Sequence, residues 1–306
     1  MKKAVSISIG SSSRDKTVEI ELLGEKVELQ RIGTDGDIEK AAQYYAELDG
    51  KVDAFGVGGA VLGILLDDRW YPMHSIKAMV RYVKQTPLVD GTGLKETLER
   101  HSASAAASRI DTAKQSKTVL VMSGLDRYGQ ARSFMDMGFD CLMGDFMFTI
   151  GLPIPIRSDR SLKFWGKTMI PPLSRLPFRM LYPTGEAQES RDPKFKNAFQ
   201  WASVIAGDCH YITRYMPDRL DGKIIVTNTT TPSDLDIFQK AGAKCLITTT
   251  PVFEGRSFGT NMLEAGLLAA SGRKEQVDYS NASAHIAEMG ELVKSLNMKP
   301  IIQELN

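Results

Sequence analysis

A chain of 306 residues, 42% hydrophobic and 25% charged, is an ordinary globular sequence with room for about two domains at roughly 100–200 residues each. Its 38 basic and 37 acidic side chains leave a net charge of +1, which excludes the electrostatic footprint of a nucleic-acid or acidic-membrane binder and leaves recognition of a small molecule to local constellations. Cys141, Cys209 and Cys245 lie in apolar runs, as expected of reduced thiols in a cytoplasmic protein, and no Cys/His cluster has metal-ligand spacing, so no metal is expected. The start MKKAVSISIG is too polar for the ~7–15-residue apolar heart of a signal peptide, and no run reaches the ~20 apolar residues of a membrane span.

Residues 4–9 alternate apolar and polar as a strand, stopped by a turn over 10–15. Residues 17–23 and 26–32 alternate with period two around Gly24, predicting a hairpin with one buried face. Asp37 followed by Ile38, Ala41, Ala42, Tyr45 and Leu48 predicts a capped helix, closed by Gly50. A buried strand is expected over 52–57, a helix over 75–84, a strand over 86–89 and a helix opening at Leu94. The polar, alanine- and serine-rich stretch 96–116 reads as a connector, placing the end of a mixed-sheet α/β substrate domain at about residue 105.

Beyond it, residues 118–122, 140–143, 203–206, 223–227 and 245–249 are apolar runs of strand length separated mostly by helical patterns. That alternation predicts a doubly wound, Rossmann-like dinucleotide domain over 106–275, with ligands at the carboxyl ends of its strands. The stretch 151–191 breaks the rhythm with Pro153, Pro155, Pro171, Pro172, Pro177 and Pro183, an insertion that fits a cleft or a homodimer contact. The tail, 276–306, offers a helix over 282–296 and a strand over 300–305, expected to pack back on the first domain. The expected fold class is therefore α/β in two domains.

The segment 118–131, TVLVMSGLDRYGQA, is a buried strand running through a glycine turn into a helix. Helix N-termini present unpaired N–H groups and about half a unit of positive charge, so a pyrophosphate is expected against Ser123, Gly124, Asp126, Arg127 and Gly129. Asp145 stands 21 residues after Gly124, where a carboxylate grips the adenosine ribose and repels a 2′-phosphate, which favours NAD over NADP. The spacing is G-x-x-x-x-G rather than G-x-G-x-x-G, and the competing reading is a tight turn with no ligand. A second strand end delivers Asn228 and Thr229 toward the nicotinamide half, and a third repeats the device at Thr248 and Thr249; each threonine alone also suits a strand or a helix cap.

Asn228-Thr229-Thr230 after a strand, with Gly259-Thr260-Asn261-Met262-Leu263 at a later helix start, resembles the quinate/shikimate 5-dehydrogenase superfamily. The runs 31–37 (RIGTDGD), 89–95 (VDGTGLK) and 255–261 (GRSFGTN) are similar to bacterial quinate 5-dehydrogenase-like proteins, over nearly the whole chain. The resemblance implies a substrate domain ahead of an NAD(P) domain, and hydride transfer with a small anionic hydroxy or oxo compound. It implies a lysine and an aspartate handling the hydroxyl proton, matched in kind by Lys95 and Asp90, and hydroxyls on a substrate carboxylate, matched by Ser11, Ser12 and Ser13. Asn261 falls in the shared helix-start motif as a substrate contact, while Gly266 stands where the superfamily has glutamine.

Hydride transfer needs a base within hydrogen-bond reach of the alcohol. Lys95 serves if burial lowers its pKa and Asp90 orients it; Asp208 and His210, after the strand at 203–206, form a competing pair. Arg256 is expected to clamp a carboxylate or phosphate bidentately. Three other classes stay open: a nucleotide-binding sensor without hydride chemistry, a thioester reductase using Cys209 as nucleophile, and an adenosylmethionine-dependent methyltransferase.

Overall fold

A computed structural model describes residues 1–178, 191–253 and 256–305, and its fold class is α/β. The first stretch runs through β1 (Lys2–Ser8), β2 (Lys16–Leu22), β3 (Glu25–Gly33), α1 (Ile38–Leu48), β4 (Ala54–Gly58), β5 (Gly63–Leu66), β6 (Arg69–Pro72), α2 (Lys77–Val80), β7 (Leu88–Val89) and α3 (Thr92–Lys95). Next come α4 (Ser102–Ala107), β8 (Thr118–Val121), α5 (Tyr128–Asp136), β9 (Asp140–Met143), α6 (Asp159–Leu173), α7 (Lys196–Trp201), β10 (Val204–Ala206) and α8 (Cys209–Tyr215). The chain ends with β11 (Ile224–Thr227), α9 (Pro232–Lys240), β12 (Cys245–Thr248), β13 (Val252–Phe253), β14 (Arg256–Ser257), α10 (Thr260–Ser271), α11 (Ala282–Ser295) and β15 (Ile301–Glu304). Among the described residues no helix is long and apolar enough to cross a membrane.

Two compact units form. The first comprises Met1–Leu94, the described part of Thr168–Gln188, and Gly259–Leu296. Its sheet has the order β2-β3-β1-β4-β7, parallel throughout except for the β2/β3 hairpin. Asp37 caps α1 as its position predicts, accepting from Lys40 N. Tyr45 then reaches from α1 to donate to Gly56 O at 3.1 Å and meets Phe55 edge-on at 5.0 Å, so the helix is fixed on the sheet by a core ring with a satisfied hydroxyl. Gly266 lets α10 lie close: a Cβ there would stand 2.8 Å from Leu29 Cδ2.

The second unit comprises Lys95–Lys167, the described part of Glu189–Phe258, and Asn297–Asn306. Its sheet has the order β15-β12-β11-β10-β8-β9, with β8 to β12 parallel and β15 antiparallel to β12. β8, β10, β11 and β12 are buried along their whole length, as befits parallel strands covered on both faces.

Three expectations need correction. Residues 300–305 do not return to the first unit: β15 pairs with β12, Leu246 opposite Gln303, so the tail is divided, α11 in one unit and β15 in the other. α10, read as part of the second domain, belongs to the first unit because it packs on β1, β3 and β4, and the first unit closes at Leu94 rather than near 105. The apolar stretch 60–66 also hides a hairpin, β5 with β6, turning at Asp67 with a left-handed φ of 55°. Periodicity shows that a segment has an apolar face, but not which sheet it will meet.

Within the first unit, Glu264 of α10 is fully buried and joins three elements. Its Oε2 accepts from Leu94 N at 2.9 Å and its Oε1 lies 2.8 Å from His285 Nε2 of α11. Burial opposes charge on His285, but the Glu264 bond and the nearby Glu288 outweigh it and raise the pKa above the ordinary 6.5. A raised histidine pKa contributes stability that is fully present below the unfolded value and lost as pH rises through the folded one. His285→Gln is therefore expected to lower the urea midpoint more at pH 6 than at pH 9; a pH-independent difference would show that the pair is not charged in the folded state.

Candidate functional site

Counting β8 to β12 as first to fifth, the strand order is 2-1-3-4-5. The connections leaving β8 and β10 therefore run in opposite directions, and ligands of doubly wound sheets bind at the carboxyl ends beside such a switch. Ser123-Gly124 follows β8 there, and Gly207-Asp208 follows β10.

The turn after β8 is filled by side chains of the protein itself. Asp145, buried just past β9, accepts from Gly124 N at 3.0 Å, Leu125 N at 2.9 Å and Ser123 Oγ at 3.3 Å. Burial pushes its carboxyl above the ordinary range despite those bonds. At the start of α5, Gly129 N donates to Glu96 Oε1 at 3.0 Å, and burial likewise pushes Glu96 up. The glycines fit these neighbours: a Cβ on Gly129 would lie 2.5 Å from Glu96 Oε2, and one on Gly124 would lie 2.6 Å from Met143 Cγ and 3.2 Å from Asp145 Oδ2. Expected as room for a phosphate, both glycines make room for internal groups, and the amides expected to hold a diphosphate hold carboxylates.

Around the turn lies a network of charges. Arg127, 4% exposed, donates to both carboxylate oxygens of Glu99, which is 0% exposed, and stands 3.8 Å from Asp208 Oδ2. Lys95 Nζ donates to Asp126 Oδ1 at 2.8 Å. Burial pushes Asp126 up, but Lys95 and Arg127 more than offset it and hold the carboxyl below the usual range.

The structure re-assigns several other expected residues. Asp90, expected to orient Lys95, accepts from Leu62 N at 2.7 Å and Thr92 N at 3.0 Å and shapes the turn before α3. Arg127, expected at the diphosphate, is buried against Glu99. Asp208 caps α8 by accepting from His210 N at 2.9 Å, and the His210 residue is exposed. Cys209 is 1% exposed within the apolar core around Phe199 and Phe238, out of reach of a thioester. Ser11, Ser12 and Ser13 form a local turn, with Ser11 Oγ 2.8 Å from Ser13 Oγ and Ser12 N donating to Asp35. Asn261 donates to Ser6 Oγ at 2.7 Å, fastening α10 to β1. The Arg256 side chain lies outside the described residues.

The ends of β11 and β12 behave differently. Thr227 pairs in register with Thr248, and the side-chain oxygens Thr227 Oγ1, Asn228 Oδ1, Thr248 Oγ1 and Thr249 Oγ1 are buried with no hydrogen-bond partner among the described residues. Neighbouring hydroxyls are satisfied: Thr230 Oγ1 lies 2.8 Å from Ser257 Oγ, and Thr250 Oγ1 donates to Phe258 O at 2.6 Å. Thr229, beside them, is half-buried. Each unsatisfied buried oxygen costs about 1–3 kcal/mol, so four on adjoining strand ends are a candidate for completion by a ligand. The sequence reading singled out Asn228, Thr229 and Thr249 here. It missed Thr227, whose lack of a partner has no sequence signal, and it missed Glu96 and Glu99 inside what reads as a connector.

Residues 93–305 match the model of a domain of unknown function, DUF8754. The chain belongs to this DUF8754 family. Residues 3–90 match a second domain of unknown function, DUF8753, and the two matches meet close to where the first unit closes. No curated protein matches the sequence. Among solved structures, the chain is similar to a putative malic enzyme (malate oxidoreductase) at 14% identity and TM-score 0.39, covering 99% of this chain and 80% of that one. It is similar to an NAD-dependent malic enzyme from Thermotoga maritima at 11% identity and TM-score 0.34, with 96% and 84% covered. A galactofuranose binding protein aligns at 10% identity and TM-score 0.36, with 100% and 95% covered.

Removing one partner of a buried ion pair costs about 3–5 kcal/mol because the other charge is left without compensation. Arg127→Leu should lower the unfolding free energy in urea by about that amount, and adding Glu99→Leu should recover most of it. A neutral single variant would dissolve the proposed network.

Proposed function

We propose that this DUF8754 protein is an NAD-linked oxidoreductase acting on a small anionic hydroxy or oxo compound, with the nucleotide at the carboxyl edge of the second unit's sheet. The observation that carries the reading is the set of unsatisfied oxygens at Thr227, Asn228, Thr248 and Thr249, which suit the amide and hydroxyl groups of a nicotinamide riboside. Asp145 lies on the same edge, 21 residues after Gly124, the spacing of a ribose-binding acid, which favours NAD over NADP; in the free protein its oxygens hold the Gly124 and Leu125 amides. The similarity to quinate 5-dehydrogenase-like proteins, over the runs 31–37, 89–95 and 255–261, supports the same class.

NAD finds free acceptors on this edge at its nicotinamide end; at the ribose and diphosphate it meets Asp145 and Glu96, whose oxygens already hold backbone donors. When bound, the nicotinamide gives or takes the hydride. The proton falls to Lys95, whose ammonium is oriented by Asp126 at 2.8 Å and can donate to a carbonyl oxygen or, deprotonated, accept from an alcohol. Asp126 thus takes the orienting role expected of Asp90. A second reading is favoured by the occupied donors: a phosphate-free nucleoside such as adenosylmethionine needs none of them, which suits a methyltransferase or a sensor.

Thermal-shift ranking of NAD, NADP and adenosylmethionine separates the readings, with NAD expected to protect most; protection by adenosylmethionine alone would replace the first by the second. Thr248→Val and Thr249→Val should each raise the unfolding free energy of the ligand-free protein by about 1 kcal/mol, because an unpaired buried hydroxyl is removed. The same variants should reduce the shift produced by NAD. Lys95→Met should abolish NAD-dependent turnover while NAD still protects the fold, and a variant that keeps its turnover would remove Lys95 from the chemistry.

A further inference from the structure

We propose that Asp145 and Glu96 form a carboxylate lock on the turn after β8, so that a diphosphate enters only as the turn takes up protons; this rests on the nucleotide reading above. Three backbone donors suited to a diphosphate, Gly124 N, Leu125 N and Gly129 N, each already hold a carboxylate oxygen at 2.9–3.0 Å. One N–H does not serve two anions at full strength, and two cations beside the turn are engaged, Lys95 with Asp126 and Arg127 with Glu99, while Arg100 faces Glu96. A dianionic ligand arriving while both carboxylates are charged meets repulsion in a partly desolvated turn.

The exchange is balanced by protons. A carboxyl group that releases its amide either turns away charged or takes up a proton and stays, and burial favours the second course. The groups facing Asp145 are the amides of Gly124 and Leu125, its own amide and the Ser123 hydroxyl; those facing Glu96 are the Gly129 amide, Arg100, Glu99 and Lys95. Burial raises both carboxyls above their ordinary range, in the direction the lock needs. Each proton taken up on binding makes affinity rise about tenfold for each pH unit lowered, above the carboxyl's own pKa.

Inorganic pyrophosphate is the direct probe, because it reports on the backbone donors without the ribose contact of Asp145. Calorimetric titration with NAD, whose diphosphate does not titrate in this range, at pH 5.5, 6.5 and 7.5 in two buffers of different ionisation enthalpy should show tighter binding at lower pH with net proton uptake; pyrophosphate, which itself takes up a proton in this range, is compared between wild type and variants at each pH. Asp145→Ala should bind pyrophosphate at least about tenfold more tightly than wild type at pH 7.5, with a shallower pH dependence; Glu96→Gln should do the same in smaller measure. In the free wild-type protein, the amide shifts of Gly124, Leu125 and Gly129 should titrate together with the carboxyls, a readout that needs no variant. NAD binding that is independent of pH, with no proton uptake, overturns the lock and leaves the nucleotide reading standing. Silence toward NAD and pyrophosphate in wild type and both variants overturns both.

Discussion

A buried parallel strand that turns sharply into a helix leaves several N–H groups pointing past the end of the sheet, and these must find acceptors or lose the equivalent of a hydrogen bond each. In this protein Asp145 and Glu96 supply the acceptors at Gly124, Leu125 and Gly129. That one requirement organises much of the second unit. It brings the end of β9 against the end of β8 through Asp145, and it draws residues 95–99 onto the start of α5. There Glu96 reaches Gly129, Glu99 reaches Arg127 and Lys95 reaches Asp126. Residues that look like a solvated connector in sequence therefore form part of the turn's scaffold.

The charges differ in role according to burial. Arg127 and Glu99 are sealed from water, so their pairing is a condition of folding, and their charge is not on offer to a ligand. Lys95 and Asp126 also pair, but the Asp126 carboxylate is about a third exposed, which leaves this pair able to exchange partners at the edge of the site. Buried ion pairs are poor sources of net stability, yet breaking one is costly. The arrangement thus restricts the loop's conformations more than it adds to the stability of the unit.

Much of the fold was legible in the sequence because it rests on local rules. The β2/β3 hairpin follows from alternation around Gly24, α1 from its Asp37 cap, and the five parallel strands from buried runs of strand length. The candidate site was legible in its place but not in its contents. Strand, glycine turn and a spaced acid pointed to the edge at Gly124 and Asp145, yet the same glycines that admit a phosphate also admit a carboxylate, and which is there depends on the segments that fold against them. Asp90 and Lys95, five residues apart in sequence, looked like partners, but each is satisfied elsewhere, by Leu62 and Thr92 amides on one side and Asp126 on the other. Assignments that depend on which distant segment arrives, such as β15 on β12, lie outside what periodicity encodes.

The two halves of the candidate site make opposite demands on whatever binds. At the ends of β11 and β12 the protein carries oxygens with no partner among the described residues, so a ligand donor gains a bond there without breaking one of theirs. At the turn after β8 every bond a ligand makes replaces one the protein already has, and net binding is the difference between two charged interactions of similar kind. A ligand confined to the first half binds with little dependence on solution conditions. One that spans both is admitted in proportion to how far the carboxylates have lost their charge, so discrimination between phosphate-bearing and phosphate-free nucleosides becomes a property of pH as much as of shape. Selectivity of that kind needs no moving lid; it needs only two acids placed on the donors that the ligand also requires.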